Sequence, residues 1–74
     1  MQFDYKGFHI DCRARSVDSG GGYIARARIT RRPGSDEDRV ETHESGDIDR
    51  FANEADAISC AKAWAIHWCD GILN

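Results

Sequence analysis

Three cysteines (Cys12, Cys60, Cys69) and three histidines (His9, His43, His67) are the side chains through which this chain could hold a metal or attack a substrate. A structural zinc site needs four such ligands at chelating spacing, most simply with C-x-x-C pairs. No C-x-x-C occurs. Cys60 and Cys69 stand nine positions apart, which on a helix sets them about 180° around the axis, too far round to share one ion. Nucleophilic catalysis asks for a cysteine or serine beside a base and an orienting third group. Cys12 falls on the inward side of an alternating segment, and Ser59 has no base at helical spacing. The run Gly20–Gly22 lacks the strand-then-helix context and the following Gly-Lys-Ser/Thr of a phosphate-binding loop. The expectation is a chain without metal, cofactor or catalytic residue, and so not an enzyme. Three cysteines also make no disulfide framework, and free thiols fit a reducing compartment.

Arginine is the richer signal. Arg13 and Arg15 project from one alternating segment, Arg26 and Arg28 from the next, and Arg31 and Arg32 continue at the strand end. Guanidinium forks suit phosphate oxygens and guanine edges, and a sheet face can enter a major groove. These six are the candidate nucleic-acid-binding residues. Two facts weigh against that reading. An exposed sheet face must be polar in any case, and Asp11, Glu41 and Glu44 can pair with its arginines across strands. The net charge is −3, whereas non-specific affinity scales with the phosphates neutralised.

The elements that must position these groups follow from periodicity. Tyr5 to Arg15 alternates, with Phe8, Ile10, Cys12 and Ala14 on one side and His9, Asp11, Arg13 and Arg15 on the other. Ser16 to Gly22 is a turn by composition. Tyr23 to Arg31 alternates again, Tyr23, Ala25, Ala27 and Ile29 opposite Ile24, Arg26, Arg28 and Thr30, which gives an antiparallel hairpin. Arg32 to Asp38 is a loop. Arg39 to Glu44 reads as a third strand, with Val40 and Thr42 inward and Arg39, Glu41 and His43 outward. Ile48 and Phe51 anchor the lead into a helix.

That helix spans Asn53 to Asp70, where the 3.6-residue period puts Ala57, Ala61, Trp64 and Trp68 on one stripe. Asn53 is the expected N-cap, Glu54 and Asp56 complement the helix dipole, and Gly71 suits a left-handed residue just past the end. The architecture expected is α+β: a three-stranded antiparallel meander packed on one C-terminal helix (β-β-β-α), in one domain over residues 1–74. Trp64 and Trp68 would lie against Phe8, Ile10, Tyr23, Ile29 and Val40, with Ala25 and Ala27 making room for the indoles.

Length and charge bound the rest. Seventy-four residues bury only about 60% of the unfolded surface, so a partner would help. No apolar run is long enough to span a membrane, and the start has no secretory pattern, so the expected compartment is the cytoplasm. Residues 1–34 carry a net +4 and residues 35–74 a net −7. Such halves attract each other within one chain or across a homodimer, and Ile24, Ile66 and Ala63 are outward-facing apolar exceptions compatible with self-association.

Y-K-G-F-H-I (5–10), Tyr-x-Ala-x-Ala-x-Ile (23–29) after a Gly-rich turn, and F-x-x-E-A-D-A-x-x-x-A-x-x-W (51–64) resemble a group of short uncharacterised bacterial proteins of β-β-β-α topology. The match covers nearly the whole chain, and its motifs mark fold positions rather than a site. The topology is also similar to the arm-type DNA-binding domain of phage integrases, to the AP2 domain, and to double-stranded RNA-binding domains without their first helix. That likeness implies nucleic-acid binding by analogy of fold only. The leading expectation is a small binding or accessory module acting through protein–protein contact or self-association, with nucleic-acid binding as the alternative.

Overall fold

Two positive-φ residues in succession, Lys6 (φ 46°) and Gly7 (φ 87°), fold the N-terminal segment back on itself. Positive φ at both central positions is the signature of the tight hairpin turn whose twist matches its flanking strands. In the computed structural model, which describes residues 1–17, 20–31 and 41–73, this turn joins β1 (Gln2–Tyr5) to β2 (Phe8–Ser16). Then follow β3 (Tyr23–Arg31), β4 (Glu41–Glu44), β5 (Arg50–Phe51) and α1 (Glu54–Leu73). The sheet is antiparallel in the order β1-β2-β3-β4, and β5 also pairs with β3. Strands before one C-terminal helix is the α+β arrangement expected, with one more strand at the N-terminal edge and a short fifth.

β4 and β5 are two pieces of one edge strand. Both run antiparallel to β3, β4 along Arg28–Arg31 and β5 along Tyr23–Ile24. Between them the chain stays tied to β3: Ser45 N–H donates to the Ala27 carbonyl (2.9 Å), Ala27 N–H to Ser45 Oγ (2.8 Å) and Ile48 N–H to the Ala25 carbonyl (3.0 Å). Five residues there face three, so the excess arches outward through Gly46 (φ 69°), as a bulge does.

The inward rows of β2 and β3 match the alternation in the sequence. Phe8, Ile10 and Cys12 of β2 share the helix side with Ala25, Ala27 and Ile29 of β3, Ile10 opposite Ile29 and Cys12 opposite Ala27, and all are buried. α1 packs on this pair of strands through Ala57, Ala61, Ala65 and Cys69, of which none is exposed. An i, i+4 row runs obliquely to the helix axis, so it stays on a twisted sheet where a straight stripe would drift off. Here the expected packing is corrected. Trp64 and Trp68 are only half-buried and pack against the core from its flank, Trp68 against Phe8 as expected, while Ala57, Ala61 and Ala65 share the buried cluster with Ala25 and Ala27. Of the other expected core members, Tyr23 is half-buried against the core and Val40 lies outside the described residues.

The helix begins as its sequence indicates. Asp56 N–H donates to Asn53 Oδ1 (2.9 Å), and Asn53 Nδ2 donates back to Asp56 Oδ2 (3.0 Å). Asn53→Ala leaves that amide without its acceptor and is expected to cost about 1 kcal/mol, read as a lower denaturant midpoint with an unchanged slope. At the other end Gly71 does not stop the helix, which runs on to Leu73. Among the described residues no helix is long and apolar enough to cross a membrane.

Candidate functional site

Strand parity divides the candidate arginines between two faces. Arg13 and Arg15 of β2, with Arg26 and Arg28 of β3, project from the side away from α1, as their alternation implies. Arg31 does not join them. It is in phase with Ile29, opposite Phe8 on β2 and Glu41 on β4, and so stands on the helix side. Arg32 lies outside the described residues.

Each of these five arginines has a carboxylate within reach. Arg13 meets Asp11 at 2.9 Å, Arg28 meets Glu44 at 2.6 Å, and Arg31 meets Glu41 at 4.0 Å. Asp47, carried outward on the arch between β4 and β5, lies 3.3 Å from Arg26 and 3.8 Å from Arg15. The outer face is therefore a mixed-charge lattice. His9 belongs to it through Asp4, 2.9 Å away. Glu44 is the cross-strand partner on this face that the sequence suggests; Glu41 pairs across strands on the helix side, and Asp11 pairs along its own strand with Arg13. Asp47 is a partner the sequence does not suggest, because its reach depends on the arch. Arg13, Arg26 and Arg28 still converge on one small concavity of about 90 Å³, shared with Asp11, Glu44 and Gly46.

The sharpest difference from expectation is on β4. Its pairing with β3 sets His43 opposite Ile29 and Thr42 opposite Thr30, so His43 faces the helix side and Thr42 the outer side, the reverse of the phase read from sequence. The imidazole stacks on the Trp68 indole, with centroids 4.5 Å apart and planes at 11°, and on Trp64 at 6.1 Å. Trp68 in turn meets Phe8 edge-on at 6.1 Å. Phe8, His43 and Trp68 of this aromatic column line an open cleft of about 320 Å³. Phe8 and Ile29 form its floor, Trp68, Ile72 and His43 its sides, and Arg31 and Glu41 its rim. Ile72 is 48% exposed there.

Comparison with family models, with curated proteins and with solved structures gave no match. The geometry stands alone.

What remains of the reactive side chains is dispersed. Cys12 and Cys69 are buried in the core and Cys60 is half-buried, and burial pushes all three thiols up, away from the thiolate that reacts. His9 is on the outer face, His43 on the inner face and His67 exposed on the helix. Among the described residues no three His, Cys, Asp or Glu side chains stand where they could hold a metal together.

A hydrogen bond from Tyr5, joined by a longer one from Lys6, ties the N-terminal hairpin to the helix end. Tyr5 Oη donates to Asp70 Oδ1 at 2.7 Å, with Lys6 Nζ 3.5 Å from the same oxygen. The bond lowers the Asp70 carboxyl below its ordinary range and raises the Tyr5 phenol above its own. The bond to Arg28 likewise lowers Glu44. A lowered carboxyl stabilises the fold fully above its unfolded value and loses that contribution as pH falls through the folded one. A raised phenol contributes below its unfolded value and loses this as pH rises. Stability is therefore expected to fall at both ends, below about pH 4 and above about pH 10. Asp70→Ala should bring the NMR titration midpoint of Tyr5 down toward that of a free tyrosine and remove its share of the alkaline loss.

Proposed function

We propose that this chain is a non-enzymatic binding module that works through protein–protein contact, self-association included. The observation that carries this reading is the cleft beside β4, where Trp68, His43 and the exposed Ile72 surround an apolar floor with Arg31 and Glu41 at the rim. Aromatic and arginine side chains around a partly desolvated pocket are the composition of interface hot spots. The tests are mass in solution by light scattering and recovery of a partner by pull-down. Association or a specific partner, lost on Ile72→Lys, is expected. A strict monomer that retains no partner would count against the reading.

A second reading has its own observation, the convergence of Arg13, Arg26 and Arg28 on the outer concavity. Nucleic acid would have to displace Asp11, Glu44 and Asp47 from these arginines, at the cost of ion pairs that are already formed. Binding is therefore expected to be weak and steeply salt-dependent. A fluorescence titration against duplex and single-stranded oligonucleotides at two salt concentrations checks it. Arg26→Ala with Arg28→Ala should abolish the signal; no signal at low salt, or one unmoved by the substitutions, sinks the idea.

A further inference from the structure

We infer that the cleft beside β4 is the contact surface of an isologous homodimer, in which Arg31 of each copy pairs with Glu41 of the other around an apolar centre made by Trp68 and Ile72. This rests on the proposed role in protein contact and names the surface and its occupant. A two-fold interface brings one patch against itself, so every group must find its complement on the same patch. Here it does. Arg31 and Glu41 stand side by side at the rim, of opposite sign, 59% and 74% exposed. Rotating one copy onto the other can set each guanidinium against the facing carboxylate while the apolar sides meet.

Three observations favour a second copy over a foreign chain. Among the described residues the rim sets one cation, Arg31, beside one anion, Glu41, a pairing that complements itself under a two-fold rotation. Arg31 comes from the half of the chain with net +4 and Glu41 from the half with net −7, so the imbalance of the halves is brought together across the contact as well as within it. The Arg31–Glu41 pair is also loose, at 4.0 Å, where Arg13 and Arg28 hold their carboxylates at 2.9 and 2.6 Å. A carboxylate so loosely engaged keeps lone pairs for a second guanidinium. The exposure of Ile72 at the mouth then has a cause, since a second copy would cover it.

The eight described residues lining the cleft are fewer than the roughly 20–30 a side of a stable interface, so the dimer is expected to be weak, with dissociation on the order of micromolar or above. Sedimentation velocity across a wide range of chain concentration should show a shift to twice the monomer mass. Ile72→Lys should abolish that shift; a cation suits the last helical turn, so the fold is retained, checked by circular dichroism. The charge test is sharper. Arg31→Glu and Glu41→Arg should each be monomeric alone, but an equimolar mixture of the two should dimerise again, because each supplies what the other lacks. A dimer that survives all three variants would overturn this surface while leaving self-association standing. A chain monomeric at every concentration would overturn the inference and self-association together. A monomer whose cleft resonances shift on adding an apolar peptide would give the cleft to a foreign partner and overturn the homodimer alone.

Discussion

Ile10→Ala is expected to remove roughly 2–5 kcal/mol of stability, the range for deleting a large aliphatic side chain from a packed interior. Ile10 has no exposed surface and lies on β2 directly opposite Ile29, in the middle of the layer between sheet and helix. The sheet cannot collapse into the space, because both flanking strands hold it in register. A chain of 74 residues has a total stability of roughly 4–11 kcal/mol at ~0.05–0.15 kcal/mol per residue, so this one change removes a large share of it. Thermal unfolding should show a midpoint lower by roughly 10–40 °C, at about 4–8 °C per kcal/mol for a domain of this size. A drop of only a few degrees would mean that the centre of the core is elsewhere.

The second large effect tests the helix face directly. Ala61→Leu puts three more carbons where α1 meets the sheet at an alanine with no exposed surface, and Ala25 and Ala27 on β3 belong to the same buried cluster. Small residues on both sides let the helix lie close, so the extra volume must push it away. The expected cost is roughly 1–3 kcal/mol, with the larger end favoured because the contact extends along an i, i+4 row and cannot tilt locally. Ala63→Leu is the control: Ala63 is exposed two positions on, and its substitution should stay within about 0.5 kcal/mol. Equal effects at the two positions would refute the packing face described for the helix, and with it the placement of the aromatic column.

That pair also shows where sequence periodicity stops. A stripe on a helical wheel is broad, and Ala57 and Ala61 belong equally to a row continuing through Trp64 and Trp68 and to one continuing through Ala65 and Cys69. Residue size favours the first, since indoles have most to gain from burial. Packing on the sheet decides for the second, since Ala65 and Cys69 are fully buried with Ala57 and Ala61 while Trp64 and Trp68 are only partly so. The indoles then move to the flank, where His43 receives them.

Much of the frame was legible nonetheless. The phases of β2 and β3 follow from alternation because a slip of one residue would turn every apolar side chain into water. The helix start follows from Asn53 and the carboxylates after it, since a cap is a local interaction. β1 was hidden because it is four residues long and joined by a turn with lysine, not asparagine, at a positive-φ position. The phase of β4 could not be read, since its described residues hold no aliphatic or aromatic-hydrocarbon side chain to mark a face. Its register on β3 alone sets His43 inward.

The sequence by itself determined an antiparallel sheet covered by one C-terminal helix, and an outer face bearing four arginines, because both depend on spacing along a single strand or helix. Only the tertiary structure decided that those arginines are engaged, that Arg31 stands on the other face, and that a cleft opens beside β4. Each of these depends on which residues of distant segments face one another, and that is settled by strand register and by the arch that carries Asp47, not by any local pattern.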